Sequence, residues 1–326
     1  MKSAINRPSN FTNEKLDSLS ELFHIFRAEL VSKRAISTQN IDLRLDYKCC
    51  NPSFFPYKDE IRGIVRTVNY IKENRANTTY FTTGNQWDTI NHYVSVSAGK
   101  HTLLNRISDS EFRIDGIGEN GLEDLRVFTH LGNYFVIGSL ASQTPISTCT
   151  IFIAEFNPDH GTIHNLNMIP SPVGSPREKN WMPFEHNDEL FVIYDFQPLV
   201  IYALKKTAGV VSLGQKKTLP TPLLHNRKYS GGTNLISYKK GFLGIIHRRI
   251  VLMGKSYYKH AFIHLNERMS DYQISREFFF RSKGIEFAIS LFSSDHKLYV
   301  GNSELDRRAW LDCYDCKVLS DLGLNL

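Results

Sequence analysis

The densest group of chemically capable side chains lies in "GLEDLRVF", where Glu123, Asp124 and Arg126 stand just before an apolar run. Asp124 and Arg126 share a face if a strand starts there, and an aspartate beside an arginine stays ionised. Such a carboxylate can act as a base or hold sugar hydroxyls. A second group, "EIRGIVRTVNY", carries Arg62, Arg66, Asn69 and Tyr70. Two arginines four apart on a strand face one way and can clamp a phosphate or carboxylate; the alternative is a surface strand edge. In "EKNWMPF", Lys179 can meet an anion, Asn180 can bond a hydroxyl, and Trp181 offers a flat face to sugar C–H groups. Pro183 fixes the backbone where the next strand begins.

Three further groups follow. In "YSGGTNLI", Gly231 and Gly232, followed by Thr233, let backbone N–H groups approach a ligand closely. No Lys-Ser/Thr follows, so this is no P-loop. His247 ends an apolar run, and "YYKHAF" brings Tyr257, Tyr258 and His260. The two histidines are either ligand contacts or satisfied structural residues. Glu286 is a lone carboxylate in an apolar stretch, costly to bury unpaired, and Asp306 precedes Arg307 and Arg308.

The elements that must position these groups emerge from an internal repeat. A polar turn followed by an apolar strand recurs around Tyr134, Leu190, Leu243 and Leu298, at spacings of 56, 53 and 55 residues, with a weaker copy around Tyr80. A second strand-like run follows most copies, at 92–97, 149–156, 198–205, 260–266 and 308–314. A unit of about 55 residues and several short strands cannot bury both faces alone, whereas five arranged radially can. The expectation is an all-β, five-bladed β-propeller over residues 46–326, with a β-sandwich of coincidental spacing as the alternative. Ligands of propellers bind at the axial mouth. Residues 1–45 form an N-terminal extension, in which 13–30 has helical apolar spacing (Leu16, Leu19, Leu22, Phe23, Phe26, Leu30) with Asn13 as cap. That amphipathic helix packs on the propeller or joins two copies into a homo-oligomer. Mixed charge signs on its polar face disfavour a membrane surface.

The bulk composition fits a globular chain: 326 residues, 41% apolar and 22% charged, with aromatics at 12% leaning towards strands. The net charge of +6 is scattered in short clusters, so a nucleic-acid stripe is not indicated, whereas a basic cleft for a small anion fits. Cys313 and Cys316 have redox or zinc spacing, but no second ligand pair accompanies them. The odd count of 5 cysteines, no signal-peptide pattern and no apolar run near 18 residues lead to the expectation of a cytoplasmic protein without a transmembrane segment.

Together, "GLEDLRVF", "EKNWMPF", "SGGTNLI", "YYKHAF" and "GIEFAISL…ELDRRAW" resemble the five-bladed propellers related to glycoside hydrolase family 130, the β-mannoside phosphorylases and hydrolases, and propeller β-mannosyltransferases. The resemblance covers about residues 55–325. It implies that Asp124 is the general acid of an inverting reaction, or the base on an acceptor hydroxyl in a transferase, and that Asp306 binds sugar. Departures are Leu125 where the family has proline, no arginine in "SLASQTPIST" where it has an Arg-Asn pair, and Lys179-Asn180 where it has Lys-His. Half of the family's phosphate site is thus missing. The resulting expectation is an inverting glycosyltransferase that moves a sugar, with mannose as the candidate, from a nucleotide sugar to a glycan or other acceptor; the expected partners are a nucleotide sugar or sugar phosphate and a glycan acceptor. Arg62, Arg66 and Lys179 would hold the departing phosphate. No cofactor is expected, and without an Asp-x-Asp triplet no metal. The alternatives are a β-mannoside phosphorylase or hydrolase, and a non-catalytic propeller that binds glycan or protein.

Overall fold

Polar turns punctuate the chain wherever two strands must fold back on each other. Asn187 and Asp188 both take the left-handed conformation, as do Asp295 and His296, the geometry that matches the twist of a two-residue hairpin. In the computed structural model, residues 21–326 are described except 24, 26, 73–78, 85–86, 98, 114–119, 142–147, 208 and 221–227. Among the described residues the turns delimit five successive sheets of four or more strands.

The first sheet holds Lys48–Tyr57, Glu60–Val68, Thr89–Ser97 and Lys100–Arg106; the second holds Leu122–His130, Asn133–Ala141, Cys149–Asn157 and Thr162–Ile169. The third holds Met182–His186, Glu189–Phe196, Leu199–Thr207 and Val210–Leu219. The fourth is a seven-stranded sheet built on the long hairpin Gly241–Leu252 and Lys255–Asn266. In the fifth, Glu286–Ser294, Lys297–Glu304 and Arg308–Asp315 are completed by Ser37–Ile41 from the other end of the chain, with Gln39 opposite Leu311. That strand lies within the segment read above as a separate extension.

Each sheet touches the next. The strand Lys48–Tyr57 contacts Leu122–His130, which contacts Met182–His186; Glu189–Phe196 contacts Ser230–Gly231; Gly241–Leu252 contacts Glu286–Ser294, which returns to Lys48–Tyr57. The blades therefore close a ring around one axis, the propeller arrangement expected. The cores lie between blades. Phe152, Leu125 and Ile64 pack between the first and second; Trp181, Ile151 and Val192 pack between the second and third. Phe54, Val65 and Leu311 seal the fifth against the first.

Two sequence expectations shift. Tyr80 does not mark a blade hairpin: it belongs to Thr79–Phe81, which among the described residues pairs only with Tyr70–Lys72. The first blade turns instead at Lys58-Asp59, and the small extra sheet breaks the repeat period. Most of the helix expected over 13–30 lies outside the described residues. Glu21, Leu22, Phe23, Ile25 and Arg27 are helical, and the chain is already a strand at Glu29–Leu30, paired with Phe278–Phe279. Among the described residues no helix is long and apolar enough to cross a membrane.

Candidate active site

The inner strands of the blades begin at the same end of the axis, and among the described residues four of the five blades present a non-glycine residue in the left-handed region there: Asn51, Asp124, Asn180, and Leu305 with Asp306. Such backbone is costly unless its surroundings hold it, and it clusters at functional sites. At Asp124 the cause is local. The ladder skips between Glu123↔Ser139 and Arg126↔Ile137, a bulge opposite Gly138. A Cβ on Gly138 would lie 2.9 Å from the Glu123 carbonyl. The bulge re-aims the chain so that successive carboxylates, Glu123 and Asp124, meet the same cation.

That cation is Arg66. Its Nη1 donates to Asp124 Oδ1 and its Nη2 to Glu123 Oε1, each at 2.8 Å, while Thr89 Oγ1 accepts from Nε and Nη2. Lys179 Nζ lies 3.1 Å from Glu123 Oε2, and Asn51 Nδ2 donates to Asp124 Oδ1 at 2.7 Å. Ser303 Oγ donates to Asn51 Oδ1, fixing that amide from the fifth blade. Arg66 is sealed, with 5% of its side chain exposed, whereas Lys179 is 35% exposed and faces the mouth.

The charges settle the protonation states. Burial works against the Asp124 carboxylate, but Arg66, then Lys179 and Arg126, and the Asn51 amide outweigh it and hold the carboxyl below the usual aspartate range. Glu123 is likewise held low against burial by Arg66 and Lys179. Glu123, foremost, raises Lys179. Both carboxylates are ionised.

Arg126 does not pair with the Asp124 carboxylate. It donates to the Gly232 carbonyl at 2.6 Å, the Asp124 carbonyl at 3.0 Å and Asn180 Oδ1 at 3.2 Å, tying three blades together. Burial lowers it to about 10. The fourth blade comes close because Gly231 lacks a side chain: a Cβ there would sit 2.1 Å from the Asn180 carbonyl. His247 reaches the Gly231 backbone, and burial followed by the Arg126 charge pushes it down to about 3, so it is neutral. Asp306, 8% exposed, lies near enough to act on the buried Cys50 thiol together with Arg66 and Asp124. Tyr70 packs on Trp87 with ring centroids 4.3 Å apart and lies within electrostatic reach of Arg66.

The axial mouth thus gathers Arg66, Glu123, Asp124, Arg126, Lys179, Asn180, Gly231 and Gly232, with His247, Asp306 and Tyr70 behind. Other expectations are corrected. Arg62 pairs with Glu60 and covers the ring of Tyr93, so it forms no clamp with Arg66. Asn69 bonds the Thr83 carbonyl and the Asp88 amide and holds a turn. Trp181 is 1% exposed, sits edge-on to Tyr194 and donates to Glu178, leaving no face for a sugar. The Thr233 hydroxyl is spent on its own backbone neighbourhood, donating to the Asn234 carbonyl and accepting from Ile245 N. His260 lies in the core against Phe278 and Phe280. Glu286 is not unpaired: the amides of Phe280, Arg281 and Ser282 all donate to it.

Sequence reasoning missed Asn51, Ser303 and Thr89. Asn51 stands before Pro52, and an Asn-Pro pair is a turn signal that could have marked a strand start at the axis. The segment with no Arg-Asn pair lies largely in 142–147, outside the described residues.

No family model and no curated protein matches this chain. Solved structures do. The fold is similar to that of a β-1,2-mannobiose phosphorylase from Listeria innocua, solved with β-1,2-mannobiose, at TM-score 0.55 and 12% identity over 89% of this chain and 94% of that one. It is similar to MPT-4, a mannose phosphorylase from Leishmania mexicana in complex with phosphate ion, at TM-score 0.56 and 12% identity over 95% and 96%. A third match comes from work on glycoside hydrolases of family 130 that target β-1,2-mannosidic linkages in Candida mannan, at TM-score 0.59 and 11% identity over 83% and 85%. The fold is that of the family-130 propellers. These matches correct the expectation of a glycosyltransferase using a nucleotide sugar: the three matched structures are named as phosphorylases and hydrolases. The sequence argument for transfer rested on a missing Arg-Asn pair and on Lys179-Asn180 in place of Lys-His.

Proposed function

We propose that this chain is an inverting β-mannoside phosphorylase that works at the axial mouth of the propeller. The observation that carries the reading is the carboxylate Asp124, fixed by Arg66 and Asn51 beside a solvent-facing Lys179. Three cations, Arg66, Lys179 and Arg126, stand among three carboxylates, Glu123, Asp124 and Asp306, and the part-exposed Lys179 is the cation that orthophosphate can reach. In the reaction a phosphate oxygen attacks the anomeric carbon from the face opposite the leaving sugar. The glycosidic C–O bond breaks, and a proton from Asp124 ends on the leaving hydroxyl. Products are α-mannose 1-phosphate and a shortened mannoside. Asp306 would hold hydroxyls of the mannosyl ring.

Asp124 is ionised in the free site and must carry a proton to act as acid. Orthophosphate seated beside Lys179 adds negative charge and takes up part of its field, which raises the Asp124 pKa. Substrate binding therefore arms the acid. The ionised state also favours a second reading, in which Asp124 is a base on water and the chain is a hydrolase.

The test is incubation with β-1,2-mannobiose with and without orthophosphate. Mannose 1-phosphate formed only with orthophosphate supports phosphorolysis, and phosphate-independent release of mannose selects the hydrolase. No cleavage in either case refutes both.

A further inference from the structure

The inner strands run from the Asp124 mouth to the opposite end of the axis, where a separate cavity of about 330 Å³ opens. Three blades repeat one offset: Asn51 is followed four residues later by Phe55, Asp124 by Phe128, and Asn180 by Phe184. Four residues of strand span about 13 Å, so the cavity lies well away from Asp124. The axis between them is plugged. Ser53, Thr233 and Ser290 are completely buried, and their hydroxyls take backbone amides of Val127, Ile245 and Phe54. A ligand in one site does not reach the other.

All five blades line this distal cavity. Its apolar lining is nearly closed: Phe55, Phe128, Phe184 and Phe292, each 2–6% exposed, come from the first, second, third and fifth blades, and the half-buried Tyr134 stands beside them. The rim is polar. Thr129, Ser237 and Ser293, all exposed, bring hydroxyls from the second, fourth and fifth blades, and Glu185 brings a carboxylate from the third. Glu185 Oε2 accepts from Leu131 N at 2.7 Å and lies 3.0 Å from His130 Nδ1, while Oε1 and the three hydroxyls have no hydrogen-bond partner among the described residues. Among the described residues no lysine or arginine lines the cavity. Phosphates and nucleotides therefore find no counter-charge. A purely apolar molecule would strip water from four polar groups without replacing it. A saccharide answers both demands, since its C–H groups suit the apolar lining beside Tyr134 and its hydroxyls suit the rim.

We propose that the distal cavity is a second, non-catalytic saccharide site. Only the choice of β-1,2-mannobiose as first probe rests on the function proposed above; cellobiose and lactose extend the panel. The experiment is calorimetric titration of the Asp124→Asn protein, which binds without turnover, and of the same protein carrying Ser237→Trp or Ser293→Trp. Both serines are exposed on different blades, and thermal melts confirm that the variants fold. We expect one bound disaccharide per chain to be lost in each tryptophan variant. A fall from two to one supports the proposal. A fall from one to zero supports it while removing mannobiose from the axial mouth. Stoichiometry and affinity unchanged in both variants, or no binding by any of the three sugars, overturns it.

Discussion

Arg66 and Asp124 stand 58 residues apart and on different blades, yet Nη1 of one lies 2.8 Å from Oδ1 of the other. The same guanidinium holds Glu123 with its other terminal nitrogen. Removing it leaves two carboxylates facing each other in a largely buried site. We expect Arg66→Ala to destabilise the fold by about 3–5 kcal/mol, the range for breaking a buried ion pair from one side. Chemical denaturation reads this directly, and a loss below about 1 kcal/mol would show the network to be well hydrated.

Asp124→Asn keeps the side-chain shape and tolerates the left-handed backbone, but removes the proton carrier. Turnover of β-1,2-mannobiose should fall by about 10²–10⁴ with the melting temperature little changed. Retained turnover would move the acid role to another group.

Gly231→Ala places a methyl group where the Asn180 carbonyl already stands. The third and fourth blades must part, and Arg126 loses its fit to Asn180 and Gly232. The expected cost is about 1–3 kcal/mol of stability, as for other overpacked sites, together with a raised KM. A crystal structure of the variant with the Asn180–Gly231 contact unmoved would sink this account.

Trp181→Phe separates packing from binding. The indole fills the core between two blades and gives its N–H to Glu178. The melting temperature should drop while KM for the sugar stays within about twofold. A large rise in KM with an unchanged melt would return Trp181 to the ligand.

The acid limb of stability has a named contributor. Burial works against Glu277, but Arg248 and Lys259 outweigh it and hold its carboxyl down at about 2 in the folded chain. A carboxyl depressed on folding stabilises above its unfolded pKa, and that stability disappears as pH falls through about 4.5 to 2. Denaturation at pH 7 and pH 3 should show a smaller difference for Glu277→Gln than for the parent. Equal differences would assign acid unfolding elsewhere.

The blades were legible because hairpin turns leave local marks: Asn187-Asp188 and Asp295-His296 announce two of them, and apolar strands follow. The carboxylate pair was legible because the bulge lies within one short motif. What escaped depended on neighbours distant in sequence. Arg62 and Arg66 share a face, but that face runs along the blade, so one reaches the axis while the other covers Tyr93. Trp181 looked like a sugar platform because packing between blades leaves no periodic trace. Asn51 was hidden beside two cysteines, and its partner Ser303 arrives from the other end of the chain.

The strand Ser37–Ile41 completes the last blade beside Arg308–Asp315, so the ring is latched by segments that lie about 270 residues apart. Contacts of such long range slow folding, because closing the intervening loop costs entropy before it is rewarded. The axial mouth can take its final shape only when that latch shuts, since Asn51 and Ser303, from the two blades that meet at the seam, together steady Asp124. Site assembly and ring closure are then one event, and a chain whose latch is loosened should lose its carboxylate geometry before it loses its sheets.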